Sequence, residues 1–214
     1  PILSEEGKKI PTEERQSWNE LWVVDPLDGT KEFIKRNGEF TVNIAYVKNG
    51  APEAGVIYIP VKEELFFADT EKGAYKLSNE DGLLTRINEN KEPSCTLETL
   101  IEKAQKLPYP TPHEGFMIVA SRSHLNAETE EYIERMKKEH AKVETVSKGS
   151  SLKLCLIAEG VADVYPRFAP TMEWDTAAGH AIIRAAGKEV YQANTNKPLV
   201  YNKEDLLNPW FIAK

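Results

Sequence analysis

The spacing of apolar residues changes once along this chain, and that change restricts the folds open to it. Before residue 78 the spacing is strand-like. Leu21-Trp22-Val23-Val24 is a short apolar run that stops at Asp25-Pro26, as a buried strand stops at a proline turn. Residues 40–47 alternate and end at Lys48-Asn49-Gly50, a hairpin signal. Residues 55–60, 64–68 and 73–77 read as further strands, so this part predicts an antiparallel meander. Residues 5–20 are polar and read as a mobile loop over a solvated face. Residues 78–115 carry Pro93, Pro108, Pro110 and Pro112 and read as a connector, with one helix within 96–107. Beyond Phe116 the pattern alternates. Residues 116–120, 143–146 and 162–165 read as strands; residues 126–140, 151–159 and 176–186 read as helices, the last closed by Gly187. The expected architecture mixes α+β and α/β: an antiparallel-sheet part over residues 1–115 and an α/β part over 116–214.

Composition excludes several functions. A chain of 214 residues with 41% apolar content can bury a sizeable core without staples. The charges sum to 27 − 34 = −7, which argues against a general nucleic-acid binder but leaves room for a small phosphorylated ligand. Apolar runs fall far short of the roughly 20 residues of a spanning helix, and no signal segment is evident. Cys95 and Cys155 lack metal-type spacing and cannot make a disulfide framework, so a reducing cytoplasm is the simplest expectation.

The sharpest motif is Asp25-Pro26-Leu27-Asp28-Gly29-Thr30, directly after an apolar strand. Two carboxylates at a strand end can converge on a hard divalent cation, although the same residues also suit a plain Asx turn. Trp174-Asp175-Thr176-Ala177-Ala178-Gly179 places Asp175 where a helix would begin, which also fits an N-cap. Its small residues imply close helix packing. Ser4-Glu5-Glu6-Gly7 alone reads as a solvated acidic pair. Gly149-Ser150-Ser151 precedes a helix, so its N–H groups can face an anion or simply cap. Lys153 and Arg167 are candidate cations for a phosphate, and Arg122 and His124 follow a strand end. His180 and Cys155 read as core residues, and His113 and His140 as surface residues.

Taken together, the three acidic motifs resemble those of the inositol monophosphatase superfamily of magnesium-dependent, lithium-sensitive phosphatases. The resemblance implies a layered α-β-α-β sandwich of the sugar-phosphatase type. It implies metal ligands at Glu5, Asp25, the Leu27 carbonyl, Asp28 and Asp175, holding two or three magnesium ions. It also implies that Thr30 and Glu5 orient the attacking water, with Asp28 beside them as a catalytic group. Thr30-Lys31-Glu32-Phe33-Ile34, Asn37-Gly38-Glu39-Phe40-Thr41-Val42-Asn43, Ser121-Arg122-Ser123-His124, Gly149-Ser150-Ser151-Leu152-Lys153 and Tyr165-Pro166-Arg167-Phe168 look like the CysQ-type 3'(2'),5'-bisphosphate nucleotidases. That branch implies hydrolysis of the 3'-phosphate of adenosine 3',5'-bisphosphate, or its sulfated relative, in sulfur assimilation and nucleotide recycling. Gly29, Thr30, Ser150, Ser151, Lys153, Arg167 and Asp175 would then touch the nucleotide. The family also carries a helical pair ahead of the loop glutamate, with an acidic residue near the second metal; this chain starts at Pro1. A cytoplasmic enzyme follows, without a spanning segment, although the branch includes association with the inner face of the membrane; oligomeric state stays open. Rival readings are an inositol-phosphate or fructose-bisphosphate phosphatase and a non-catalytic phosphate-binding regulator.

Overall fold

The computed structural model describes residues 1–92, 94–109, 113–120 and 126–214. Its elements run β1 (Ile2–Ser4), α1 (Thr12–Arg15), β2 (Glu20–Asp28), α2 (Thr30–Lys35), β3 (Thr41–Lys48), β4 (Ala51–Ile59), β5 (Glu64–Asp69), β6 (Gly73–Ser78), α3 (Leu83–Asn88), α4 (Leu97–Lys103) and β7 (Gln105–Leu107). After them come β8 (Phe116–Ala120), α5 (Ala127–Glu139), β9 (Val143–Ser147), α6 (Leu152–Glu159), β10 (Tyr165–Arg167), α7 (Glu173–Ala185), β11 (Val190–Gln192) and β12 (Phe211–Ala213).

Strands β1 to β7 form one seven-stranded sheet in chain order, antiparallel except for the parallel β1–β2 pair. Asn49 and Gly50, both with positive φ, make the two-residue turn between β3 and β4 that the sequence predicts. Alternation sorts the sheet's two faces. Ile57, Ile59, Phe66 and Ala74 join the main core with α6 and α7. Val56, Tyr58, Phe67, Tyr75 and Leu77 pack on the other face against Leu83 and Leu84 of α3 and Leu97 and Leu100 of α4. Strands β8 and β9 pair in parallel across α5, and β10-β12-β11 form a small antiparallel sheet. Helix α5 covers these through Tyr132, Ile133 and Met136. The layers therefore follow the expected α-β-α-β order, with α5 outside.

Small residues let the central layers close up. A Cβ on Gly55 would stand 2.5 Å from the Ala178 carbonyl oxygen, and one on Gly179 would fall on Leu154. Gly55→Ala should cost about 3 kcal/mol, because a backbone atom is in the way. Gly179→Ala should cost a similar amount, because Leu154 Cβ, which no rotamer change moves, would stand 2.7 Å away. Denaturant midpoints of the two variants check both.

Several expectations are corrected. Residues 5–20 are not one solvated loop: α1 lies there, and Arg15 is buried. Residues 78–115 are not a bare connector, since they supply α3, α4 and the seventh strand, with Leu83, Leu84 and Leu107 buried. Strand β2 does not stop at Pro26 but continues to Asp28. Helix α7 starts at Glu173, ahead of the expected 176. Strands β11 and β12, too short to show a period, were not expected from the pattern.

Candidate functional site

The Asp25–Asp28 segment is a bulged strand, not a free turn. Asp25 pairs with Asn43, and Asp28 pairs with Thr41, so Pro26 and Leu27 together oppose Val42. In a regular strand, residues three apart point to opposite faces. The extra residue returns Asp28 to the face of Asp25. Proline is tolerated because β1 pairs only with Trp22, Val23 and Val24, leaving that edge open at Pro26.

The chain brings two more carboxylates to this face. Ser4 pairs with Val24, and the Glu5 N–H donates to the Val24 carbonyl at 3.2 Å, which delivers Glu5 beside Asp25. Asp175 stands in the first turn of α7 and accepts the Met172 N–H at 2.8 Å. It is thus the third helical residue, not the N-cap, and the positive helix end faces the cluster. Carboxylate oxygens of Glu5, Asp25 and Asp175 lie within 4.8 Å of one another.

The electrostatics are those of a site built for a cation. Asp25 is buried, and its carboxyl is pushed up to about 8 by burial first and by the Asp28 charge second. Its Oδ1 accepts the Leu27 N–H at 3.0 Å, while its buried Oδ2 has no partner among the described residues. Asp175 is raised to about 6, again chiefly by burial, with Asp28 and Glu5 adding to it. A buried, orphaned carboxylate oxygen between two other carboxylates fits a hard cation that takes oxygen ligands.

Asp28 lies near this trio but outside it. Its Oδ2 accepts from the Ser151 N–H and Ser151 hydroxyl, both at 2.6 Å, from Thr41 at 3.2 Å and from Asn43 at 3.3 Å. The expected fourfold convergence is therefore a cluster of three plus one heavily bonded neighbour. Leu27 is half-buried in the bulge.

A cavity of about 310 Å³ opens on this side. Asp28, Gly29, Thr30, Ser150, Ser151, Lys153, Arg167 and Asp175 all line it, together with Lys31 and Lys148. Gly29 has φ +88, which favours glycine at that corner. The Gly149–Ser151 segment does face anions, but they are the protein's own. Gly149 N–H donates to Glu39 Oε2 at 2.8 Å, Ser151 N–H to Asp28, and the Ser150 hydroxyl to the Glu39 carbonyl at 2.6 Å. Neither serine side chain caps α6. Lys153 is buried, and its ammonium donates to the carbonyls of Ser150 at 2.7 Å and Lys148 at 3.3 Å. Burial lowers its pKa to about 8, against the opposing pull of Asp28. Arg167 donates through Nη2 to the Pro170 carbonyl at 3.2 Å, and its buried Nε has no partner among the described residues.

Comparison with known proteins then decides the family. The inositol monophosphatase family matches over residues 1–210. The chain belongs to that family. Among its inositol monophosphatase relatives, the 3'(2'),5'-bisphosphate nucleotidase CysQ of Shigella flexneri is 46% identical over 212 residues, covering 99% of this chain and 74% of that protein. CysQ of Escherichia coli K12 shows the same identity and coverage. The crystal structure of CysQ from Bacteroides thetaiotaomicron, described as a bacterial member of the inositol monophosphatase family, superposes with a TM-score of 0.93. It is 62% identical and covers all of this chain and 76% of that one.

Within this inositol monophosphatase family site, sequence reading missed Glu39, Thr41 and Asn43. The signal was present for two of them. The period of two in β3 puts Thr41 and Asn43 on the same buried face as Ala45 and Val47, where polar side chains need partners. His180 is the core histidine expected, bonded to Tyr201 and Glu189, and Cys155 is buried. Arg122 and His124 lie outside the described residues.

Proposed function

We propose that this chain is a magnesium-dependent phosphatase that removes the 3'-phosphate of adenosine 3',5'-bisphosphate, leaving 5'-AMP and inorganic phosphate. The observation that carries the reading is the Asp25 Oδ2, without a partner among the described residues, within the Glu5–Asp25–Asp175 cluster, beside the cavity that Asp28 and Asp175 line. The nucleotidase names of the CysQ relatives support the substrate. Glu5, Asp25 and Asp175 would hold magnesium, with Asp28 and the Leu27 carbonyl as further oxygens. Bound magnesium supplies a more acidic water and neutralises charge on the transferring phosphoryl group. The ion count, two or three, and a cytoplasmic location belong to this proposal too.

The remaining residues position the reactants. Thr30, at the start of α2 and lining the cavity, would orient the attacking water with Glu5. Asp28 is fixed by the four hydrogen bonds that its Oδ2 accepts, so it offers Oδ1 in one orientation. Ser150, Ser151 and Lys153 build the cavity wall: both serine hydroxyls and two of the three Lys153 N–H groups donate to protein acceptors, which fixes the 148–151 segment. Arg167, with Lys148 and Lys31 on the same cavity, would hold the phosphate that is not cleaved.

The test is phosphate release from adenosine 3',5'-bisphosphate and from inositol 1-phosphate at equal concentrations with magnesium. Faster release from the nucleotide, with 5'-AMP as product, is expected. Faster release from inositol 1-phosphate would overturn the substrate, and release from neither with binding retained would favour the non-catalytic reading. Arg167→Ala should raise KM for the bisphosphate roughly ten- to a hundredfold, the equivalent of about 1.5–3 kcal/mol. It should leave turnover of a simple monophosphate nearly unchanged. Equal losses on both would mean that Arg167 supports the site and not the second phosphate.

A further inference from the structure

We propose that Arg15 is a positioning residue that clamps the loop carrying Glu5 to the helix carrying Asp175. The inference rests on reading the three-carboxylate cluster as the metal site. Arg15 is 3% exposed and lies in a run of otherwise exposed polar residues. All five of its N–H donors are used. Nε donates to the Ile10 carbonyl at 3.2 Å. Nη1 donates to Asn202 Oδ1 at 3.0 Å and the Lys203 carbonyl at 2.9 Å. Nη2 donates to Thr12 Oγ1 at 3.2 Å and the Glu204 carbonyl at 3.3 Å.

The other end of the clamp is Glu173. It is fully buried in the first turn of α7 and accepts the Asn202 N–H at 2.6 Å and the Lys203 N–H at 3.0 Å, with the Lys203 ammonium also on Oε1. Asn202 returns two bonds, from Nδ2 to the carbonyls of Arg15 at 2.8 Å and Trp18 at 3.3 Å. Residue 202 thus joins both partners. The Glu5 loop is tied at its start to Val24 and at its far end, through Ile10 and Arg15, to residues 202–204. Those residues are pinned by Glu173, two positions before Asp175. A chain of hydrogen bonds that touches neither carboxylate therefore ties the far end of the Glu5 loop to the helix of Asp175, while the Val24 bond holds its start. A guanidinium supplies this geometry because its donors are fixed in one plane; a lysine offers three donors on a flexible stem.

Two measurements on the full chain test this: hydrogen exchange on the metal-free protein and calorimetric titration with magnesium. The variants are Arg15→Ala, Arg15→Lys and Asn202→Gly, the last chosen because Asn202 sits at φ 62, where glycine adds no strain. In Arg15→Ala, the hydrogen-bonded amides of Gly7, Glu14, Gln16 and Trp18 should exchange at least tenfold faster while those of β3 to β5 stay unchanged. Magnesium affinity should fall about tenfold, with kcat at saturating magnesium within about threefold of wild type. Arg15→Lys should fall between, and Asn202→Gly should act in the same direction. Uniformly faster exchange across β3 to β5 in both Arg15→Ala and Asn202→Gly would overturn the proposal in favour of a general stability role. So would local release with unchanged magnesium affinity. A wild type that binds no magnesium would overturn the metal reading itself, whatever the exchange pattern.

Discussion

Replacing Asp25 with asparagine is expected to stabilise the metal-free protein and abolish its response to magnesium. The sign follows from the raised carboxyl. Asp25 titrates near the ordinary 3.8 in an unfolded chain and at about 8 in the fold. Between those values the folded state keeps a proton that the unfolded chain has released. Raising pH through that window therefore favours unfolding; the penalty is absent below 3.8 and complete above about 8. Asparagine carries no such proton. The stability difference between Asp25→Asn and wild type, both without metal, should start near zero at pH 4. It should grow to several kcal/mol, at most about 5, by pH 8. Magnesium at a hundred times its Kd should stabilise wild type by about 2.7 kcal/mol and the variant by nothing. Turnover with magnesium should fall about a thousandfold. Thermal melts across pH, with and without magnesium, check all but the last. A variant less stable than wild type at pH 8 would show that the carboxylate is a structural anchor and not a strained ligand.

Asp28→Asn should show the opposite stability effect, three residues away. Asp28 Oδ2 is a charged acceptor for Ser151, Thr41 and Asn43, so the charge holds the bulge to β3 and to the start of α6. Making it neutral weakens charge-assisted bonds and should destabilise the metal-free protein by about 1.5–3 kcal/mol. Turnover should still drop by a hundredfold or more, since the group beside the cluster loses its charge. The comparison separates two roles that one motif hides. Equal stability changes in the two variants would mean that the structural division between Asp25 and Asp28 is not real.

The sequence carries the ends of this argument better than its middle. The apolar alternation from Leu21 to Leu77 places most strands of the large sheet, because each has one face on a core. The acidic motifs mark Asp25, Asp28 and Asp175 by composition. What brings Asp25 and Asp28 to one face is a bulge, and a bulge depends on which β3 residues lie opposite, which the β2 sequence alone does not state. Glu5 reads as a solvated acid because its neighbours are polar; its place is fixed by backbone pairing with Val24. Lys153 and Ser151 read as ligand donors because donors are what the residue types show. Their capture by Ser150, Lys148 and Asp28 is decided by a left-handed residue, Ser150 at φ 41, that no local pattern announces. Arg15 is the clearest case. A buried arginine among charged residues has no period, and three of its five acceptors, on residues 202–204, lie almost two hundred positions away.

The most direct test of the account is to locate a metal. Crystals of this chain grown or soaked with manganese, which takes oxygen ligands as magnesium does, would be measured for anomalous scattering. The account predicts an anomalous peak bounded by the carboxylates of Glu5, Asp25 and Asp175, with the otherwise unpartnered Asp25 Oδ2 among its contacts, and no such peak in Asp25→Asn. Manganese bound elsewhere, or an equally strong peak at the same place in the variant, would contradict it.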